Sequence, residues 1–127
     1  MSKSECKKTV LVVEDDPDVR DSLVEILQDN EYIPVAAANG QEALERLAEA
    51  GPDTCLILLD MMMPVMDGWE FRSRQRQDAH TASIPVVLLS AYTSLPEAAS
   101  DLQVDGFLKK PVKLETLLQT VAQFCAA

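Results

Sequence analysis

Five polar positions in this chain have the residue types needed for chemistry at a phosphorus centre. Glu14 and Asp15 follow the apolar run Val10 to Val13, Asp60 follows Cys55 to Leu59, Ser90 follows Val86 to Leu89, and Lys110 lies just past Phe107-Leu108. Three carboxylates gathered in one place repel one another and raise at least one pKa unless they share a cation. A hard divalent ion resolves that conflict. Magnesium suits it best, because it favours one or two carboxylates completed by waters and phosphate oxygens, and no His or Cys cluster offers a softer metal a home. A carboxylate can then attack phosphorus and form an aspartyl phosphate, provided the metal and a lysine neutralise charge on the transferring group. Asp60 is the central candidate, with Lys110 as the point charge for a phosphoryl oxygen.

These residues act together only if the fold brings them together, and the hydrophobic pattern says how. Val10 to Val13 reads as a short strand buried on both faces and Val86 to Leu89 as another buried strand, Cys55 to Leu59 is the most apolar segment, and Ile33 to Ala37 and Phe107-Leu108 read as further short strands. Between them lie helical patterns. Asp16-Pro17 is an N-cap with proline at the first helical position before Val19, Leu23, Ile26 and Leu27. Asn39-Gly40 is a turn or cap before Ala43, Leu44, Leu47 and Ala48. A third helix follows Asp67-Gly68, a fourth runs from about Pro96 to Leu102, and a fifth carries the stripe Leu114, Leu117, Leu118 and Val121. Strict β/α alternation implies a doubly wound parallel sheet of five strands with five helices on its two faces. Ligands of such sheets bind at the carboxyl ends of the strands, where all five polar positions fall.

Composition narrows the function classes. At 127 residues and 47% hydrophobic, the chain has the size and apolar content of a single domain, with its core expected over about residues 9–124 and a flexible N-terminus over 1–8. A net charge of −10 repels nucleic acid and anionic membrane, so neither is an expected partner. No apolar run approaches the roughly 20 residues that span a bilayer, and no signal-peptide pattern opens the chain, so a cytoplasmic location is expected. Three widely spaced cysteines, Cys6, Cys55 and Cys125, fit free thiols in a reducing compartment, with Cys55 an ordinary core residue.

The segments VLVVEDDPDVR, LILLDMMMPVMDGWE, PVVLLSAY and DGFLKKPV, in that order, resemble the receiver (CheY-like) domain of two-component response regulators from about Thr9 to Phe124. The resemblance implies the flavodoxin/CheY-like fold with strand order 2-1-3-4-5. It implies that Asp60 accepts a phosphoryl group from a sensor histidine kinase or histidine phosphotransfer protein. Asp15, Asp60 and the backbone carbonyl of Met62 would bind Mg2+ directly, with Mn2+ able to substitute, and Glu14 through water. Ser90 and Lys110 would hold the phosphoryl oxygens, and the Lys110-Pro111 bond is often cis. Ser90 and Phe107 would form the switch, altering the face of the fourth helix, fifth strand and fifth helix, roughly Ser94 to Phe124, where a downstream protein or a second phosphorylated copy would bind. Such a domain is a phosphoprotein in a phosphorelay and catalyses only its own phosphorylation and dephosphorylation. Glu14 stands where the family more often has Asp, Ser90 where many members have Thr, and Phe107 where Tyr or Phe is usual. Met62 and Tyr92, two residues beyond Asp60 and Ser90, flank the path of attacking water in the family and imply slow self-dephosphorylation.

Other readings of the same residues stand beside this one. Glu14-Asp15-Asp16 could be a solvated turn with a cap, and Asp60 alone a turn residue. Met61, Met62 and Met63 read as packing or loop chemistry rather than soft-metal ligands, since consecutive residues cannot all face one ion. Arg72, Arg74 and Arg76 read as a solvated helix face, and His80 as exposed. A haloacid-dehalogenase-type phosphatase needs an acid two positions after its aspartate, where Met62 stands. A flavodoxin-like electron carrier needs a phosphate loop rich in Ser, Thr and Gly, where EDDPD stands. A pseudo-receiver acting only as a binding module loses the acceptor, an acid or the lysine, and all are present.

Overall fold

Continuous aliphatic runs have no polar face to offer water, and in the computed structural model, which describes residues 8–50, 53–60, 66, 68–90 and 104–125, the runs Val10 to Val13, Cys55 to Leu59 and Val86 to Leu89 are covered on both sides, whereas Ile33 and Phe107 in the other two stay exposed. The elements are β1 (Thr9–Val13), α1 (Pro17–Asp29), β2 (Ile33–Ala37), α2 (Gly40–Ala50), β3 (Thr54–Asp60), α3 (Gly68–Gln77), β4 (Val86–Ser90), β5 (Gly106–Lys109) and a C-terminal helix (Leu114–Phe124). The five strands form one parallel sheet in the order β2-β1-β3-β4-β5, the expected doubly wound arrangement. The helix expected over Pro96 to Leu102 and the N-terminal segment 1–7 lie outside the described residues. No helix among the described residues is long and apolar enough to cross a membrane.

Side-chain alternation along the central strands splits the core into two layers. Leu11, Val13, Ile57, Leu59 and Leu88 pack with Ala43 and Leu47 of α2 and Phe71 of α3. Val10, Val12, Leu56, Leu58 and Leu89 pack with Leu23 and Leu27 of α1 and Leu117 and Val121 of the C-terminal helix. β3 is buried along its whole length, as a central strand between two helical layers must be.

Two expectations are corrected here. Cys55 and Cys125 are joined in a disulfide rather than free, with their Cα atoms 5.3 Å apart. The register of β3 against β1 slips between Thr9 and Val10, whose partners are Thr54 and Leu56, so Cys55 is the extra residue of a bulge. It therefore joins Leu56 on the side of the C-terminal helix, a placement that strict alternation hides. Arg72 is the second correction. It does not share the solvated face of Arg74 and Arg76 but is buried, with Nη1 donating to Gln75 Oε1 at 2.7 Å. Gln75 in turn donates from Nε2 to the carbonyls of Thr81 and Ile84 at 2.8 and 3.1 Å, tying α3 to the approach to β4.

α1 shows how the local sequence sets an element's limits. The Asp16 side chain accepts from the Asp18 and Val19 amides at 2.9 and 3.4 Å, as an N-cap does, and Pro17 follows at the first helical position. At the other end the amides of Tyr32 and Glu31 return to the carbonyls of Leu27 and Gln28. That closure requires a left-handed residue, and Glu31 adopts it at φ 69 where glycine is usual. Glu31→Gly is therefore expected to stabilise the fold by about 0.5–1 kcal/mol, with Glu31→Val destabilising it, both read by chemical denaturation. A loss of stability in the glycine variant would contradict the assignment.

Candidate functional site

The sheet register brings the acids together. Val13 of β1 pairs with Leu59 of β3, so Glu14 and Asp60 are the next residues on two neighbouring strands. Strands are spaced about 4.8 Å apart, and the chain has little freedom to separate the two carboxylates. Asp15 joins them from the β1–α1 turn. One carboxylate oxygen from each of Glu14, Asp15 and Asp60 lies within 4.8 Å of the others. Glu14 and Asp60 are buried and Asp15 is exposed, which gives the cluster a closed floor and an open side.

Glu14 is fixed from several directions. Its amide donates to the Ala37 carbonyl at the end of β2 (3.0 Å), and its carbonyl accepts from Arg20 Nη1 on α1 (2.9 Å). Its Oε2 accepts from the Asp16 amide at 3.2 Å. Lys110, reached just after β5 and before a cis bond to Pro111, places Nζ 2.6 Å from Glu14 Oε1 and 3.6 Å from Asp60 Oδ1. The lysine thus spans the top of the sheet and contacts the two buried acids.

Burial pushes the Asp60 carboxyl up to about 7, helped by its contacts with Glu14 and Asp15 and opposed by the charge on Lys110. For Lys110, burial works against its charge, but the close approach of Glu14 and the charge of Asp60 outweigh this and raise its pKa above the ordinary value. One ammonium against three carboxylates leaves negative charge uncompensated in a mostly dry place. Glu14 Oε1 is buried against the Lys110 ammonium, its close charged partner. The donors are all oxygens, which fits a hard ion such as Mg2+ and not a thiophilic metal.

Ser90 closes β4 in register with Lys109 of β5, while Leu89 pairs with Asp60, so Ser90 lies one step beyond the acceptor's level on the adjacent strand. Phe107 on β5 is 45% exposed. Met62 and Tyr92 lie outside the described residues. Two supporting contacts escaped the sequence reading. Arg20 gave no signal beyond a charged residue on a helix. The Gly40 amide donates to the Met66 carbonyl at 3.1 Å, and a Cβ on Gly40 would stand 2.8 Å from that oxygen, so only glycine lets α2 approach the segment after β3 this closely. The pattern Asn39-x-x-Glu42 did carry a signal for the neighbouring cap. Asn39 Oδ1 accepts from the Glu42 amide and Glu42 Oε1 from the Ala38 amide, each at 2.9 Å.

A family model for the response regulator receiver domain matches residues 10–122. A 14.6 kDa protein of Leptolyngbya boryana, described as uncharacterized and encoded in the sodA1 3′ region, is 37% identical over 120 residues, 93% of this chain and 90% of that one. The response regulator MprA of Mycolicibacterium vanbaalenii is 40% identical over 111 residues, 86% of this chain but only 46% of that protein. Among solved structures, the chemotaxis protein CheY4 of Vibrio cholerae superposes with a TM-score of 0.83 at 32% identity, covering 91% of this chain and 97% of CheY4. The response regulator TrrA of Thermotoga maritima, solved in complex with Mg2+ and BeF, gives 0.80 at 30% identity, covering 92% and 98%.

A carboxyl that titrates near 7 when folded and near 3.8 when unfolded holds its proton more tightly in the native state. Its ionisation therefore destabilises the metal-free fold progressively as pH rises from about 4 to about 7. In chelator, Asp60→Asn is expected to exceed wild type in stability by on the order of 1–3 kcal/mol at pH 8, and the difference should close by pH 4. Thermal melts of both proteins across that range check it, and a wild type at least as stable as the variant at pH 8 would refute it.

Proposed function

Because the chain belongs to the response regulator receiver domain family, we propose that Asp60 accepts a phosphoryl group from a phosphohistidine donor and holds it as a signal. The observation that carries this reading is the buried Asp60 carboxylate at the end of β3, with Lys110 Nζ 3.6 Å away and the carboxylates of Glu14 and Asp15 beside it. An Asp60 oxygen attacks phosphorus, the phosphorus–nitrogen bond to the donor imidazole breaks, and the nitrogen keeps the electron pair and takes a proton. The product is an acyl phosphate. The donor class is a sensor histidine kinase or histidine phosphotransfer protein, and the chain catalyses only its own phosphorylation and dephosphorylation.

Asp15, Asp60 and the Met62 carbonyl would hold Mg2+, or Mn2+ in its place, directly, and Glu14 would act through water. The bound ion supplies neutralisation of charge on the transferring group. TrrA, similar to this chain in fold, was solved in complex with Mg2+ and BeF, which supports the choice of ion. Lys110 contacts Glu14 more closely than Asp60, so its ammonium is available to a phosphoryl oxygen once the acids have another cation to share. Ser90 takes a further phosphoryl oxygen.

An aspartyl phosphate adds charge and acceptor oxygens, which draw on Ser90 and bias Phe107 from its exposed position toward the interior. Phe107 and Leu114 are exposed apolar side chains on β5 and the C-terminal helix. A downstream protein, or a second copy of this chain, that contacts this face in one state only would read the signal. The setting is cytoplasmic, without direct contact to nucleic acid or membrane.

Incubation with Mg2+ and acetyl phosphate, followed by intact mass, is the direct test. Wild type should gain one phosphoryl mass, and Asp60→Asn none. Lys110→Ala should react at least tenfold more slowly, and chelation should abolish the gain. A wild type that gains no phosphoryl mass in the presence of Mg2+ would overturn the reading.

A further inference from the structure

Cys55 and Cys125 stand 70 residues apart in sequence and meet in the layer between the sheet and the C-terminal helix. The bulge at Cys55 turns that residue toward the helix. On the helix, Leu117 and Val121 are its fully buried residues, and Cys125, the C-cap, continues their four-residue spacing. Both sulfurs are screened from solvent, Cys55 being 6% and Cys125 1% exposed. A strand irregularity and a helix terminus thus converge on a bonded pair.

We propose that Cys55 and Cys125 form a reversible thiol–disulfide latch on the C-terminal helix, closed by a small disulfide of the glutathione class. Cys125 reacts first, because a helix end opens locally at lower cost than a central strand. Its thiolate attacks one sulfur of the oxidised co-reactant and releases one thiol. The Cys55 thiolate then attacks the Cys125 sulfur of the mixed disulfide and releases the second. The two cysteines lose two protons and two electrons, and the co-reactant takes both as it becomes two thiols. Excess reduced thiol reverses each step. In a compartment buffered by such thiols, a pair of this kind senses oxidant rather than serving as a permanent staple.

The regulatory consequence rests on the receiver reading given above. The C-terminal helix forms part of the face proposed to transmit the signal. Its start is tied through Val112 and Pro111 to Lys110 of the site, and the latch ties its end to the start of β3. Closing the latch restricts how far that helix moves when the state of Asp60 changes. The phosphoryl chemistry is spared, because Cys55 and Asp60 are near opposite ends of β3, about 16 Å apart along the strand.

The full chain carrying Cys6→Ser, which leaves this pair alone, tests the proposal. It is equilibrated across ratios of reduced to oxidised glutathione, quenched in acid, denatured, alkylated with iodoacetamide and weighed intact. The expected result is one transition from two alkylated cysteines to none, with the closed form melting about 5 °C or more above the open one. Cys125→Ser should abolish that redox dependence of melting. Two alkylatable cysteines at every ratio, stable glutathione adducts without closure, or equal melting temperatures in the two states would each overturn the latch. Reaction with Mg2+ and acetyl phosphate should give the same phosphoryl mass gain in both redox states within about twofold. A large difference between the states would overturn the separation of the two sites. No gain in either state would sink the receiver reading and leave the latch results standing.

Discussion

Two carboxylates at one level on adjacent parallel strands cannot move apart, and the rest of the site is organised around that constraint. Register sets it, since Val13 opposite Leu59 puts Glu14 beside Asp60. Burial sharpens it by removing the water that would screen the charges. Lys110 answers part of it from the far side of β4, which obliges β5 and the turn after it to hold their place. Arg20 and the end of β2 hold the Glu14 backbone, and the Gly40 contact holds Met66. The residual negative charge leaves the cluster suited to a hard cation, as the proposed phosphoacceptor role requires.

The parts legible in the sequence were those carried by local pattern. Aliphatic runs ending in a polar residue located β1, β3, β4 and β5, the apolar run Ile33 to Ala37 located β2, and Asp16-Pro17 marked the start of α1. Alternation of strand and helix gave the parallel sheet, and with it the common edge on which Glu14, Asp15, Asp60, Ser90 and Lys110 fall. The strand order came through resemblance to receiver domains rather than from periodicity.

What escaped depends on relations between distant segments. The Cys55–Cys125 bond needs the bulge in β3, and a bulge leaves no mark in a run of apolar residues. Arg72 has the same charge and nearly the same neighbours in sequence as Arg74 and Arg76. Only the turn of α3 that faces Gln75 and the approach to β4 sends it inward. Arg20 likewise acquires its role from the carbonyl it reaches six residues earlier, on a strand end rather than along its own helix.

The two-layered core has a consequence for how such a domain can diversify. Leu11, Ile57 and Leu88 meet α2 and α3, while Val10, Leu56 and Leu89 meet α1 and the C-terminal helix, with the hydrogen-bonded sheet between them. Side chains in one layer do not share a cavity with those in the other, so volume changes on the two sides are compensated locally. A lineage can remodel the layer under α1 and the C-terminal helix, even adding a covalent tie there, while the layer under α2 and α3 keeps its packing. The strand ends belong to both layers, which leaves them the part of the molecule least free to drift.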